Sequence, residues 1–232
     1  MLVLLCIKID KKMNTKQTIA IIGATGNMGS GISKKLSNGN FRLLLFANQL
    51  SKLQTLEAEI LEANPSADIE VTACPTEASW EADIIILAVA YPVQQQIAQK
   101  IKEVANQKIV ISIANPLNDT YDGLVTAPDS SAAEELQKLL PNSKVIKAFN
   151  TVFAADFAQP VIADKQADAF IAGDDQGALQ TVSELVVTAG FNPIIAGALK
   201  VSRTLESMSL LLIQLNIKNN YNWLAGWKIL HQ

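Results

Sequence analysis

The chain has 232 residues with 19 Lys+Arg against 22 Asp+Glu, a formal net charge of -3. That sign is opposite to the basic excess of a surface that tracks nucleic-acid phosphates, so no nucleic-acid partner is expected. At 49% hydrophobic and 18% charged it can bury a large core, which excludes a disordered chain. Its single histidine, His231, is the penultimate residue, and Cys6 and Cys74 lie far apart. Histidine bases, zinc clusters and disulfide scaffolds are therefore not expected, and a reducing, cytoplasmic compartment fits.

Residues 1–7 (MLVLLCI) are apolar but too short to span a bilayer, and they lack the basic flank and cleavage site of a secretion signal. With Met13 as a natural start, residues 1–16 read as a tail. IAII (19–22) is a buried strand, GATGNMGSG a glycine-rich turn, and the helix after it ends near Asn38-Gly39. A strand follows at 41–48, an amphipathic helix at 50–65 halted by Asn64-Pro65, a strand at 69–73 and a short helix around 77–81.

DIIILAVA (83–90) is apolar on both faces, as a central parallel strand covered by helices must be. A helix over 93–106, a strand at 108–114, a helix at 130–140 capped by Ser130 or Ser131, and a strand at 144–149 complete the alternation. Parallel strands need crossover helices, so residues 17–150 predict a Rossmann-type, doubly wound α/β sheet. Residues 151–232, with strands near 169–173 and 192–197, a helix at 176–189 and a long apolar helix over 199–216, predict a small C-terminal α/β lobe packed on the first. Arg203 and Glu206, one turn apart, read as a structural ion pair. Trp223 and Trp227, at helical spacing, read as a packing or dimer element.

Gly23-Ala24-Thr25-Gly26-Asn27-Met28-Gly29 ends the first strand and opens the first helix, where backbone N–H groups and the helix dipole hold a pyrophosphate. The spacing is G-x-x-G-x-x-G, a variant of the usual fingerprint; the bland alternative is a tight turn shaped by glycine alone. After the second strand come Ala47 and Asn48, with Lys52 a turn later and no carboxylate to repel a 2′-phosphate, so NADP(H) is preferred over NAD. Lys52 reads equally as a solvated surface lysine.

Ligands of open α/β sheets sit beyond the carboxyl ends of the strands. This assigns Ala88, Val89, Ala90, Asn115 and Pro116 to the cofactor path and Tyr91, Asn150, Thr151 and Val152 to the substrate. Pro92 and Pro116 also serve simply to stop strands, and Tyr91 to pack.

GATGNMG, VISIANPL (110–117), SSAAEELQKLLPNSKVIKAFNTV (130–152) and AGALKVSRTLESM (196–208) together resemble the NADP-dependent reductases of the deazaflavin coenzyme F420. They are also similar to the oxidoreductase domain of the six-transmembrane metalloreductases. The likeness runs from about Thr18 to Trp227. It implies that Thr25, Gly26, Asn27 and Met28 wrap the pyrophosphate. It also implies that Ala47 and Asn48 stand where that family carries a Ser-Arg pair for the 2′-phosphate, with Lys52 matching the lysine that follows.

At Asn150 the archaeal enzymes place a histidine near the deazaflavin, whereas Asn-Thr matches the metalloreductase domains. The implied activity is hydride transfer between NADP(H) and a small-molecule acceptor, FMN, FAD or coenzyme F420. It proceeds by face-to-face stacking at roughly 3 to 3.5 Å without a catalytic side chain, in a soluble homodimer.

Short-chain dehydrogenases share the GATG-type loop but need Tyr-x-x-x-Lys; Tyr91, Tyr121 and Tyr221 are followed at that spacing by Gln95, Val125 and Ala225. A silent NADP-binding redox sensor remains the alternative function. Pyrroline-carboxylate-type reductases share the N-terminal half but use a much larger helical second domain.

Overall fold

A computed structural model of the chain describes residues 16–231; the expected tail, except Lys16, and Cys6 lie outside them. Six strands alternate with five helices: β1 (Gln17–Ile22), α1 (Asn27–Leu36), β2 (Phe41–Phe46), α2 (Leu50–Ala63), β3 (Asp68–Thr72), α3 (Pro75–Glu81), β4 (Ile84–Leu87), α4 (Tyr91–Ile101), β5 (Ile109–Ser112), α5 (Ala132–Leu139) and β6 (Lys144–Lys147). All neighbours among these strands are parallel. After a 3-10 turn at Ala154–Phe157 come β7 (Val161–Ile162), β8 (Lys165–Gln166), β9 (Asp168–Gly173), α6 (Gln176–Thr188), β10 (Asn192–Gly197), a second 3-10 turn at Leu199–Val201 and α7 (Ser202–Asn219).

Eight strands form one sheet in the order β10, β9, β6, β5, β4, β1, β2, β3. The chain winds outward from β1 through β2 to β3, then returns to lay β4 on the other side of β1. The crevice between β1 and β4 is thus the topological switch point, where such sheets bind ligands. Alternation along β1 divides the core. Ile19 and Ile21 join Ile32, Leu53 and Leu179 on the face of α1, α2 and α6. Ala20 and Ile22 join Ala78, Ile97 and Leu136 on the face of α3, α4 and α5.

In the C-terminal segment, expected as a small lobe packed on the first, β9 and β10 extend the same sheet. β9 pairs antiparallel with β6, and β10 parallel with β9. All six β9 residues are buried. A strand apolar on both faces needs cover on both: α6 supplies one side, with Leu179 and Val182, and α7 the other, with Leu205 against Phe170 and Ala172.

Other differences are local. The helix expected over 93–106 starts earlier and is shorter, because Pro92 lies in its first turn, where a missing N–H costs nothing. Ser131, not Ser130, caps α5, its hydroxyl accepting from the Glu134 N–H at 3.1 Å. The two C-terminal tryptophans do not share a helix: Asn220, in the left-handed region at φ 55°, ends α7. Trp227 bridges to Asp168, and Trp223 packs edge-on against Phe153 with ring centroids 5.3 Å apart. The β7/β8 hairpin and both 3-10 turns have no counterpart in the sequence reading.

Candidate functional site

The switch point is built from backbone. Gly23 adopts φ +92°, and a Cβ there would lie 2.3 Å from the Ala88 carbonyl, so only glycine lets β1 and β4 close at this level. The Gly23 and Ala24 N–H groups both donate to the Phe46 carbonyl, at 2.8 and 3.0 Å, which ties the loop to the end of β2. Gly29 sits under the loop, where a Cβ would lie 2.1 Å from the Gly23 carbonyl, and so sets the approach of α1 to β1.

Gly26 caps α1 without a side-chain bond, and no acidic residue stands in the first turn. The first N–H groups of the helix therefore face outward with the positive end of its dipole, the arrangement that binds an anionic oxygen. A Cβ on Gly26 would come no closer than 3.4 Å to the protein and would fill the space over the loop instead.

Beside this loop lies a cleft of about 470 Å³. Its near wall is Gly23, Thr25 and Gly26, its outer wall Ala47, Asn48, Gln49 and Lys52, and its inner wall Ala88, Val89 and Ala90. The α4 residues Val93, Gln96, Ile97 and Lys100 close it. No carboxylate lines it. Position-by-position reading along the chain missed the α4 wall, yet Val93, Ile97 and Lys100 recur at i, i+4 and i+7, the spacing of one helix face.

A second cavity, of about 230 Å³, opens on the other side of the loop. It is lined by Asn27 and Met28, by Ile113 and Asn115 beyond β5, by Phe149, Asn150 and Val152 beyond β6, by Phe153 and Ala154, and by Ser209 and Ile213 of α7. None of these side chains is ionisable. Its polar wall is a hydrogen-bonded network in which the buried Asn150 Oδ1 is left without a partner. The Asn150 amide donates to Asn115 Oδ1 at 2.9 Å and to the Leu205 carbonyl at 3.0 Å. The Asn115 amide donates to Ser209 Oγ at 2.8 Å and to the Asn150 carbonyl at 3.1 Å. Phe149, fully buried at φ 59°, holds a backbone conformation uncommon for an aromatic residue, the kind of strain that concentrates at functional sites.

Below this wall is a fully buried ion pair. Lys147 Nζ donates to Glu206 Oε1 at 2.6 Å and to the Ala114 carbonyl, and Glu206 Oε2 accepts the Ala132 N–H at 3.0 Å. Burial pushes the Lys147 ammonium below its ordinary value, opposed by the Glu206 carboxylate. The pair fixes the end of β5 next to Asn115 and the start of α5 against α7. The expected Arg203/Glu206 pair is therefore not formed. Arg203 instead makes a two-pronged contact with Glu134, at 2.6 and 2.8 Å, because Glu206 faces inward and Arg203 the surface.

Of the sequence-predicted residues, Gly23, Thr25, Gly26, Ala47, Asn48, Lys52, Ala88, Val89 and Ala90 line the cleft, and Asn27, Met28, Asn115, Asn150 and Val152 line the cavity. Four do neither. Ala24 is buried beneath the loop. Pro116 is buried, and its carbonyl accepts from Val125 at 2.7 Å. Thr151 turns its hydroxyl to the Phe170 N–H at 3.5 Å. Tyr91 donates to Glu135 on α5 and accepts from Gln95 at 3.0 Å. Burial, reinforced by Glu135, pushes the Tyr91 phenol up to about 12, so it stays protonated.

A mostly parallel α/β sheet with an uncapped glycine loop at its switch point and a carboxylate-free cleft beside it defines a dinucleotide-binding protein of the Rossmann type. Residues 18–116 match the family model described as NADP oxidoreductase, coenzyme F420-dependent. An F420-dependent NADP reductase of Methanocaldococcus jannaschii is 33% identical over 211 residues, 86% of this chain and 92% of that protein. The chain belongs to the F420-dependent NADP reductase family.

The metalloreductase STEAP3 of Rattus norvegicus is 34% identical over 106 residues, 46% of this chain and 21% of that protein. A crystal structure of a protein from Arthrobacter sp. FB24 superposes with a TM-score of 0.80 at 21% identity, covering 93% of this chain and all of that one, which shows the shared fold. Among the described residues no helix is long and apolar enough to cross a membrane.

Proposed function

We propose that the protein transfers a hydride between NADP(H) and the ring of a flavin or deazaflavin, with coenzyme F420 as the foremost acceptor and FMN and FAD as the others. The observation that carries this reading is the pair of cavities flanking one loop: a carboxylate-free cleft at Gly26 and a cavity without ionisable side chains at Asn27. A reaction that needs only two rings held in register fits a cavity that offers no acid or base.

The residues present suit NADP(H). The N–H groups of Thr25, Asn27 and Met28 would hold the pyrophosphate over Gly26, whose own N–H is spent on the Gly23 carbonyl at 3.1 Å, and Ala47, Asn48 and Lys52 the ribose with its 2′-phosphate. Ala88, Val89 and Ala90 would line the path inward. The nicotinamide, when bound, supplies or receives the hydride. Asn115, Asn150, Val152 and Met28 orient the ring end, and the apolar Ile113, Phe149 and Ile213 exclude water from it. A cytoplasmic setting and a homodimer belong to the same reading; the exposed Leu211 and Ile217 of α7 and Ile195 of the edge strand β10 support the dimer.

The test is single-turnover oxidation of NADPH, and separately NADH, with F420, FMN, FAD and riboflavin each offered as acceptor. Acceptor-dependent oxidation that favours NADPH is the expected result. Tight nucleotide binding with no turnover on any acceptor would overturn it in favour of a silent sensor.

A further inference from the structure

The cleft is lined by two lysines from different helices. Lys52 stands in the first turn of α2, and Lys100 in the last turn of α4. Both are exposed, and neither ammonium pairs with a carboxylate among the described residues. The Lys100 carbonyl accepts from Thr76 Oγ1 at 3.4 Å, which places the end of α4 against α3. On the α4 wall, Ile97 and Val93 lie one and two turns before Lys100, so an apolar surface suited to a flat base runs up to the cation. Asn48, on the same wall as Lys52, is neutral.

A phosphate monoester carries about two negative charges at neutral pH. One exposed lysine answers half of that charge and discriminates weakly. We propose that Lys100 is a specificity-determining residue, which closes on the 2′-phosphate of NADP(H) from the α4 side and forms with Lys52 a two-lysine clamp. The proposal rests on the reading that this cleft holds the adenosine end of NADP(H). It adds a contact from an element 48 residues away from Lys52. Two flexible ammonium groups supply charge without the planar fork of an arginine, so the selectivity they confer is electrostatic and sensitive to salt.

The experiment is calorimetric titration of the full chain with adenosine 2′,5′-bisphosphate and with 5′-AMP, which differ only in the 2′-phosphate and require no turnover. The intact protein is expected to prefer the bisphosphate. Lys100→Gln is expected to reduce that preference by about fivefold to tenfold while leaving 5′-AMP affinity unchanged. Lys52→Gln should act similarly, the double variant more strongly, and Lys100→Arg should keep the preference. Raising ionic strength should erode the preference in the intact protein more than in Lys100→Gln.

If Lys100→Gln keeps the full preference, or weakens both nucleotides equally, the clamp is wrong and Lys100 touches nothing or only the base. If the unmodified protein binds neither nucleotide, or binds both alike, the reading of the cleft fails and the clamp fails with it.

Discussion

The two halves of the site are made of different materials. The proposed nucleotide side is backbone: a glycine loop that leaves the first N–H groups of α1 facing outward and whose shape depends on the absence of Cβ atoms at Gly23 and Gly29. The acceptor side is side chain: Asn115, Asn150 and Ser209 locked together over the Lys147–Glu206 pair, with partners drawn from β5, β6, α5 and α7. A backbone cradle fails by steric collision, whereas a buried polar network fails by desolvation. The two regions should therefore respond differently to substitution.

The largest effect should come from the network. Lys147→Met leaves Glu206 charged and unpaired in the core and is expected to cost about 3–5 kcal/mol of unfolding free energy. The double replacement of Lys147 and Glu206 by apolar residues of similar size should recover most of that in urea titrations. If the single variant costs no more than the double, the pair is not what supports this edge.

Next comes Asp156, buried in the turn after the acceptor edge, where burial raises its carboxyl to about 6, against the hydrogen bond it accepts from the Phe153 N–H. Between its ordinary value and 6 the folded state binds more protons than the unfolded one, so the wild type loses stability as pH rises through this window. Asp156→Asn should remove that loss. It should gain about 3 kcal/mol over the wild type at pH 8 and nothing from this source near pH 3, read as unfolding free energies at the two pH values.

On the backbone side, Gly23→Ala meets the Ala88 carbonyl and an unfavourable φ. It is expected to weaken NADPH binding about a hundredfold, about 2.8 kcal/mol, with the acceptor-side network intact by hydrogen exchange. Normal NADPH affinity in this variant would erase the distinction between the two halves. The smallest effect is expected at the rim. Arg203→Gln removes a partly exposed contact to Glu134 and should cost under about 1 kcal/mol in the same unfolding assay.

The same division explains what could be read from sequence. The loop is local: seven consecutive residues carry the turn, the phosphate-facing N–H groups and the start of α1, so spacing was enough to place it. The strand alternation likewise showed β1 to β6, because each strand is joined to the next by a helix that carries the chain across to a parallel position in the sheet.

The acceptor wall spans Asn115 to Ser209, and nothing in the spacing of VISIANPL and KAFNT shows that Asn150 reaches Asn115 or that α7 closes the cavity. The pairing of Arg203 with Glu134 and of Glu206 with Lys147 was hidden for the same reason. Helical spacing put Arg203 near Glu206, while burial divided them between surface and core. The small C-terminal lobe was expected because the strand–helix pattern changes beyond residue 150; β9 follows β6 with no crossover helix, the mark of an antiparallel neighbour in the same sheet. Tyr91 and Thr151 were assigned to the site by their place at strand ends, which fixes the height of a residue above the sheet but not the side to which it turns.

The Lys147–Glu206 pair has one more consequence, in the order in which the protein matures during synthesis. Lys147 enters the fold with β6, but its partner is supplied by α7, 59 residues later. Until that helix emerges and docks, the sheet edge holding Asn115 must keep its lysine hydrated and cannot close. The nucleotide cradle is complete once α4 is in place, whereas the acceptor wall waits for nearly the whole chain. A nascent fragment stopped before α7 would thus contain every residue of the glycine loop and none of the structure that holds a second ring against it.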